Sequence, residues 1–222
     1  MTNAVSDDAL AAALTDVRRA YRLLWGFHKR VLEYNRIIRT SLGFEHLGAK
    51  YRFGKPGQNP EARYAWDLCP GAQFGLASIR RSDAAEPGRD GTSFPRAGDA
   101  VLYVRVKGDT GLADFARPGV EPDPVQFPPP EESQTLMEVY VLVNREERSV
   151  RLDWLDVVLP SVTQWPAPGQ TGPHPAHKGI DIYGDVFDLA RLGGEDALLL
   201  KIDAFKAAAS RALGLTFGTP QA

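Results

Sequence analysis

The chain has 222 residues, a net charge of −2, a hydrophobic share of 43% and a charged share of 24%, which together fit one globular domain with a substantial core. Its single cysteine, Cys69, excludes an intrachain disulfide framework and predicts a reducing, cytoplasmic location. No apolar run approaches the roughly 20 residues of a membrane span, and the N-terminal residues do not resemble a signal peptide. The excess of arginine over lysine, with many Ala, Gly and Pro residues, indicates a GC-rich bacterial genome.

The first predicted element is a long helix over residues 7–42. Ser6 suits the N-cap position, and Gly43 suits the left-handed position after the last turn. At 1.5 Å per residue the helix would be about 54 Å long, whereas a compact chain of this size has a diameter of about 45 Å. The helix is therefore expected to kink, to protrude or to pair. Gly26, near its middle, would permit a kink or the close approach of another backbone.

The apolar residues of this helix follow a heptad pattern. With Leu14 at position a, successive a and d positions form one seam, which consists of Leu10, Leu14, Val17, Tyr21, Leu24, His28, Val31, Asn35, Ile38 and Leu42. This 4-3 spacing predicts a coiled-coil-like surface. The two polar members, His28 and Asn35, are expected to fix the register or the oligomeric state.

The second half of the helix has a wider apolar arc. Residues 23–38 carry apolar side chains over roughly 200° of the circumference, whereas a helix lying on one sheet needs little more than 100°. We therefore expect this part to be buried on more than half its surface, between two layers or between the sheet and another subunit. The predicted partner-binding residues are Trp25, Phe27, His28, Leu32, Tyr34 and Asn35.

The charge is unevenly distributed. Residues 17–56 contain ten basic and two acidic residues, or +8, so the rest of the chain sums to −10. One interpretation places the basic helix against the acidic body of its own fold, and the other predicts an acidic partner or nucleic acid. The predicted nucleic-acid-binding ridge consists of Arg18, Arg22, Lys29, Arg36 and Arg39. A pI near 6.1 argues against a dedicated nucleic-acid-binding protein.

The middle of the chain reads as antiparallel strands. Alternation of apolar and polar residues predicts strands over 100–107, 136–144 and 150–154. The polar tetrad 145–148 would join the last two as a hairpin. Shorter candidates are 50–53 and 74–79. Three connections rich in Pro and Gly separate these elements, namely 81–98, 109–133 and 160–179.

A second helix is predicted over 195–214, with a short strand at 197–201 as the competing interpretation. Its apolar residues keep helical spacing, and Gly214 ends it. The predicted fold class is α+β, a single domain over 1–222. In it an antiparallel β-meander within 49–192 is flanked by the long N-terminal helix and the C-terminal helix.

Few residues point to a reaction. Phosphate-binding loops, nucleophile elbows and zinc-protease motifs are absent from the sequence, so no catalytic residue and no cofactor are predicted. His174 and His177 are weak zinc candidates, because a structural site needs four ligands and a loop pair is more often solvent-exposed. Cys69 is expected to be a packed core thiol.

Three aspartates, Asp181, Asp185 and Asp188, resemble an oxygen-ligand cluster. Their spacing is not that of a calcium loop, and a helix start would explain Asp185. The sequence therefore favours a non-catalytic binding or assembly protein that uses its N-terminal helix for self-association or for docking into a larger complex. A nucleic-acid-binding protein is the alternative, and an enzyme of unidentified type is the second alternative.

Overall fold

The structure, a computed structural model, describes residues 6–52, 65–82, 95–115, 120–148 and 151–218. In chain order the helices and strands are α1 (Asp7–Leu42), β1 (Glu45–Tyr51), β2 (Gln73–Arg80), β3 (Ala100–Lys107), α2 (Thr110–Ala113), β4 (Leu136–Asn144), β5 (Gln170–Pro173), β6 (Ile180–Asp188) and α3 (Glu195–Leu213). The chain divides into two compact units, Met1–Ile37 and Ile38–Ala222. No helix in the described ranges is both long and apolar enough to cross a bilayer.

Both ends of α1 have the predicted caps. The Ser6 hydroxyl accepts a hydrogen bond from the Ala9 amide at 3.3 Å. Gly43 has a φ of 75°, and the Phe44 amide donates to the Arg39 carbonyl at 3.0 Å. These bonds satisfy terminal groups that an α-helix leaves without partners. The helix between the caps is continuous.

The strands form one six-stranded antiparallel sheet in the order β1-β2-β3-β4-β6-β5, which confirms the α+β class. β3 and β4 have the predicted bounds, and β2 contains the predicted strand 74–79. The predicted strand 50–53 overlaps only the end of β1, and residue 53 lies outside the described residues. Strand order follows chain order except that β6 lies between β4 and β5.

One face of the sheet packs against α3. The ring of Phe205 lies 5.4 Å from that of Tyr183 and 5.9 Å from that of Phe187, both on β6. Beside them, Lys201 of α3 pairs with Asp185 of β6 at 2.7 Å. α3 ends at Gly214, which has a φ of 63°. The predicted C-terminal helix is therefore confirmed, and the competing strand 197–201 is wrong.

The other face packs against the segment that follows β4. A cluster of buried residues joins the strands to Trp154, Val158, Leu159 and Val162. Residue 150 of the predicted strand 150–154 lies outside the described residues. The rest of that strand and its hairpin are wrong, because residues 151–153 are not in a strand, Trp154–Val158 forms a π-helical turn and β4 pairs with β3 and β6 instead. The Asp153 carboxylate caps this turn by accepting from two backbone amides at 2.8 Å.

β6 is a strand that the sequence did not predict. Its aspartates led us to expect a helix start at Asp185, but that residue lies within the strand and pairs with Lys201. Asp181 pairs with Arg145 at 2.8 Å. Asp188 caps a short turn after the strand by accepting from the Ala190 amide. The predicted connection 160–179 also contains a strand, β5.

Glycine on β6 makes room for a tyrosine on β4. Gly184 lies opposite Tyr140, and a Cβ at Gly184 would lie 2.4 Å from the Tyr140 ring. The ring is enclosed by Trp165, whose centroid is 4.2 Å away. The tyrosine therefore has little freedom to move aside.

We expect Gly184→Ala to lower the free energy of unfolding by about 1–3 kcal/mol, because overpacking displaces a ring that is held on both sides. Urea denaturation measures this loss. The matched control is Gly193→Ala, since a Cβ there meets no atom within 4 Å and the expected change is under about 0.5 kcal/mol. Equal stability of the two variants would contradict this packing arrangement.

Candidate functional site

The first candidate site is the surface of α1 within the N-terminal unit. Five successive seam residues are between 44% and 69% exposed, namely Leu10, Leu14, Val17, Tyr21 and Leu24. Leu23, Trp25 and Leu32 are exposed as well. Scattered apolar residues are ordinary on a protein surface, but contiguous apolar patches commonly mark interaction sites. The described structure therefore leaves the first half of the heptad seam open to solvent.

The predicted partner-binding residues do not share one environment. Trp25 and Leu32 are exposed, and Phe27 and His28 are half-buried. Tyr34 and Asn35 are buried in the single chain, and their assignment as partner contacts stays a prediction. Residues 23–25 are exposed, so the expected burial over more than half the circumference of 23–38 does not occur in the single chain.

Several cations of the predicted ridge already have neighbours along α1. Arg36 forms a bidentate pair with Glu33 at 2.9 and 2.5 Å, which lowers the pKa of that carboxyl group. Further along the helix, Arg39 donates to the Phe44 carbonyl. Near the other end, Arg18 donates to the Thr15 hydroxyl at 2.7 Å. Of these contacts only the ion pair with Glu33 offsets a positive charge of the ridge. The bonds of Arg18 and Arg39 to neutral oxygens occupy N–H donors and leave the charge in place.

The two weak zinc candidates have structural partners. The buried His174 places Nε2 3.0 Å from the Val158 carbonyl, so Nε2 carries the proton and donates. Its Nδ1 accepts from the amides of Ala176 and His177 at 3.1 Å. With both ring nitrogens engaged, His174 offers no lone pair to a metal ion. The expectation of a solvent-exposed pair is wrong for this residue, which is 4% exposed.

The remaining sequence candidates for a chemical site do not lie together. Cys69 is exposed, which corrects the expected core thiol, because it precedes a short 3-10 turn rather than lying in a strand. Among the described residues, no group of three His, Cys, Asp or Glu side chains could hold a metal ion. The sequence candidates therefore do not assemble into one chemical site.

The sheet carries a polar hollow that the sequence did not predict. It has a volume of about 290 Å³ and is lined by Arg105, Lys107, Glu138, Tyr140 and Trp165, among others. Arg105 lies directly opposite Glu138 in the β3–β4 register. The alternation along β3 indicated that Arg105 shares a face with Lys107, but the partner strand and its register are tertiary information.

A family profile matches residues 7–214, from the first turn of α1 to the residue after α3. The chain belongs to the PM0109 family. No curated protein and no solved structure matches the chain. The PM0109 match spans both the exposed seam and the polar hollow.

We expect stability to fall as the pH drops below the ordinary histidine pKa of about 6.5. Burial lowers the pKa of His174 in the folded chain, so the folded state binds fewer protons than the unfolded state. The contribution is present in full above that pH and is lost as the pH falls toward the folded-state pKa. The thermal midpoint, measured against pH, should fall less steeply for His174→Gln. His46→Gln, at an exposed position on β1, is the control and should retain the slope of the native chain. Identical slopes for all three proteins would contradict the assignment.

Proposed function

We propose that this member of the PM0109 family is a non-catalytic assembly protein that self-associates through α1, with a second copy of the chain covering the exposed seam in antiparallel orientation. The observation that carries the proposal is the exposure of five successive heptad positions from Leu10 to Leu24. Removing a leucine side chain from water contributes about 1.5–3 kcal/mol. The five seam side chains are between 44% and 69% exposed, so each gains only part of this free energy, and a symmetric pair gains it twice at each position.

The heptad spacing favours another helix as the partner. Alternating steps of three and four residues keep a straight apolar line facing one neighbouring helix. A flat or irregular surface would not require that regularity. The same spacing in a second copy is complementary by construction, which is the ordinary basis of two-fold symmetric pairs.

Charge favours the antiparallel arrangement. Residues 7–16 contain three aspartates and no basic residue, whereas residues 17–32 contain five basic residues and no acidic one. A parallel pair would place like charges beside each other along the whole seam. An antiparallel pair brings each acidic N-terminal segment toward the basic segment of the other copy, and it also opposes the two helix dipoles.

Small residues support close approach of the two helices. The segment before Arg22 is rich in alanine, with Ala9, Ala11, Ala12, Ala13 and Ala20. A Cβ at Gly26 would meet no atom within 4 Å. Glycine at this helical position costs about 1 kcal/mol relative to alanine. Gly26 lies at heptad position f, on the side of the helix away from the seam, so it takes no part in this contact.

We expect the native chain to elute with the mass of two 24.3-kDa chains, and Leu14→Glu with Leu24→Glu to elute as a monomer. Each substitution places a charge in the apolar seam, so the dissociation constant should rise at least about a hundredfold. Light scattering coupled to gel filtration measures the mass. Circular dichroism establishes that the variant remains folded.

The matched control is Leu23→Glu. Leu23 is exposed on the same helix but lies at heptad position c, outside the seam, so the dimer should persist. Native protein that stays monomeric at high concentration removes self-association. Capture of labelled RNA or DNA by that monomer, lost on Arg22→Glu with Lys29→Glu, would instead support the nucleic-acid alternative.

Orientation is tested with a spin label on Lys29→Cys in a Cys69→Ser background. An antiparallel pair in which Val17 meets Tyr21 of the second copy is centred at residue 19. The labels would then be about 30 Å apart along the axis at 1.5 Å per residue. A parallel pair in register has no axial separation, so its labels are separated only across the pair, by at most about 24 Å for two helices of 10–12 Å diameter. In the antiparallel pair this lateral spacing adds to the axial one, so a distance of about 24 Å or less would contradict the antiparallel arrangement.

A further inference from the structure

The polar hollow begins with three aromatic rings on one face of the sheet. Tyr103 of β3 and Tyr140 of β4 lie opposite each other. The ring of Trp165 covers both, with centroids 5.6 Å and 4.2 Å away. The Arg105 guanidinium lies 5.4 Å from the centroid of the same Trp165 ring. The aromatic group therefore forms a fixed wall that holds the arginine in place.

Three charged side chains form the floor. Glu138 lies between two cations, with Oε2 3.2 Å from Arg105 Nε and Oε1 2.9 Å from Lys107 Nζ. Their side chains are 11%, 23% and 15% exposed, respectively. The triad itself carries a net charge of +1, and the exposed Asp114 carboxylate lies 3.9 Å from Lys107 Nζ. Asp185 also lines the hollow, but its carboxylate is paired with Lys201.

Two groups of the triad have hydrogen-bonding capacity that no described residue fills. The buried Oε2 of Glu138 accepts no hydrogen bond from any described residue, although it faces Arg105 as an ion pair. Arg105 uses only Nε in its pair with Glu138, and its partly exposed Nη groups have no protein acceptor among the described residues, so they are open to a ligand. Buried carboxylate oxygens and guanidinium groups normally have their hydrogen bonds satisfied. Both groups line the same hollow.

Tyr140 adds a donor beside the triad. Burial and the negative charge of Glu138 raise the pKa of its hydroxyl. The hydroxyl therefore stays protonated across the physiological range.

We propose that the hollow binds a small oxyanion that also carries a hydrogen-bond donor, namely a phosphate or a hydroxy acid. The anionic oxygens would accept from the Nη groups of Arg105, and an O–H of the same ligand would donate to Oε2 of Glu138. A volume of about 290 Å³ admits a molecule of this size. The +1 charge of the triad favours an anion, and the unfilled acceptor selects for a protonated oxygen.

Two matched pairs of probes test the ligand class. Inorganic phosphate retains an O–H at neutral pH, whereas sulfate does not. Glycolate carries a hydroxyl beside its carboxylate, whereas acetate does not. We expect phosphate or glycolate to bind at least about tenfold more tightly than its partner probe, the ratio expected for one hydrogen bond to a charged group. Which pair binds more tightly distinguishes phosphate ligands from carboxylate ligands.

Binding is measured by calorimetry and by the shift of the Trp165 indole N–H signal in NMR spectra. Probe concentrations of up to about 10 mM are ten times a Kd of 1 mM, so binding of that strength would nearly saturate. Arg105→Gln should weaken every probe at least about tenfold. Arg105→Lys retains the charge and should give a smaller loss. The matched control is Arg145→Gln, because Arg145 also pairs through Nε with a carboxylate, at 2.8 Å, and does not line the hollow.

Glu138→Gln separates a binding role from a structural one. The variant replaces the charged acceptor with a neutral amide, whose oxygen accepts more weakly, so the preference for phosphate over sulfate and for glycolate over acetate should shrink. Thermal midpoints of all variants establish that they are folded. The proposal is overturned if no probe shifts the Trp165 signal of the native chain, or if Arg105→Gln binds as tightly as Arg145→Gln. It also fails if phosphate and sulfate, and glycolate and acetate, bind equally to the native chain. The helix seam is not involved, so loss of self-association would leave this outcome unchanged.

Discussion

The register between β3 and β4 is the constraint on which the sheet unit depends. It places Tyr103 opposite Tyr140 and Arg105 opposite Glu138. Successive side chains of a strand point to opposite faces, so a slip of one residue would move the apolar set of β3 to the wrong side. The same register brings the polar residues of two strands together on one face. Core packing and the polar hollow therefore follow from one pairing.

The sequence predicts elements whose signals are local. β3 and β4 alternate apolar and polar residues, and the caps of α1 lie within a few positions of its ends. β6 was missed because its aspartates resemble turn or helix-start residues. Asp185 is accommodated in the strand only because Lys201, on a different element, pairs with it. The apparent strand ending at Trp154 failed for a related reason, since capping by Asp153 competes with extended backbone.

The candidate sites also differ in how far the sequence could predict them. The seam of α1 could be predicted because a heptad pattern is contained within one continuous helical segment of the sequence. The burial of His174 and the exposure of Cys69 could not, because each depends on packing by residues distant in the sequence. Arg105 and Glu138 lie 33 positions apart (138 − 105). Only the pairing of their strands shows that they meet.

The two proposed sites depart in opposite ways from the usual distribution of apolar and charged side chains in a folded protein. α1 exposes leucine, valine and aromatic side chains that would ordinarily be buried, whereas the sheet partly buries three charges that would ordinarily be solvated. Each departure is locally unfavourable for a single chain without a ligand. Departures of this kind are expected where a sequence is constrained by binding as well as by folding. Covering the seam with a second copy would remove the first cost, and a ligand that fills the Arg105 and Glu138 hydrogen bonds would reduce the second.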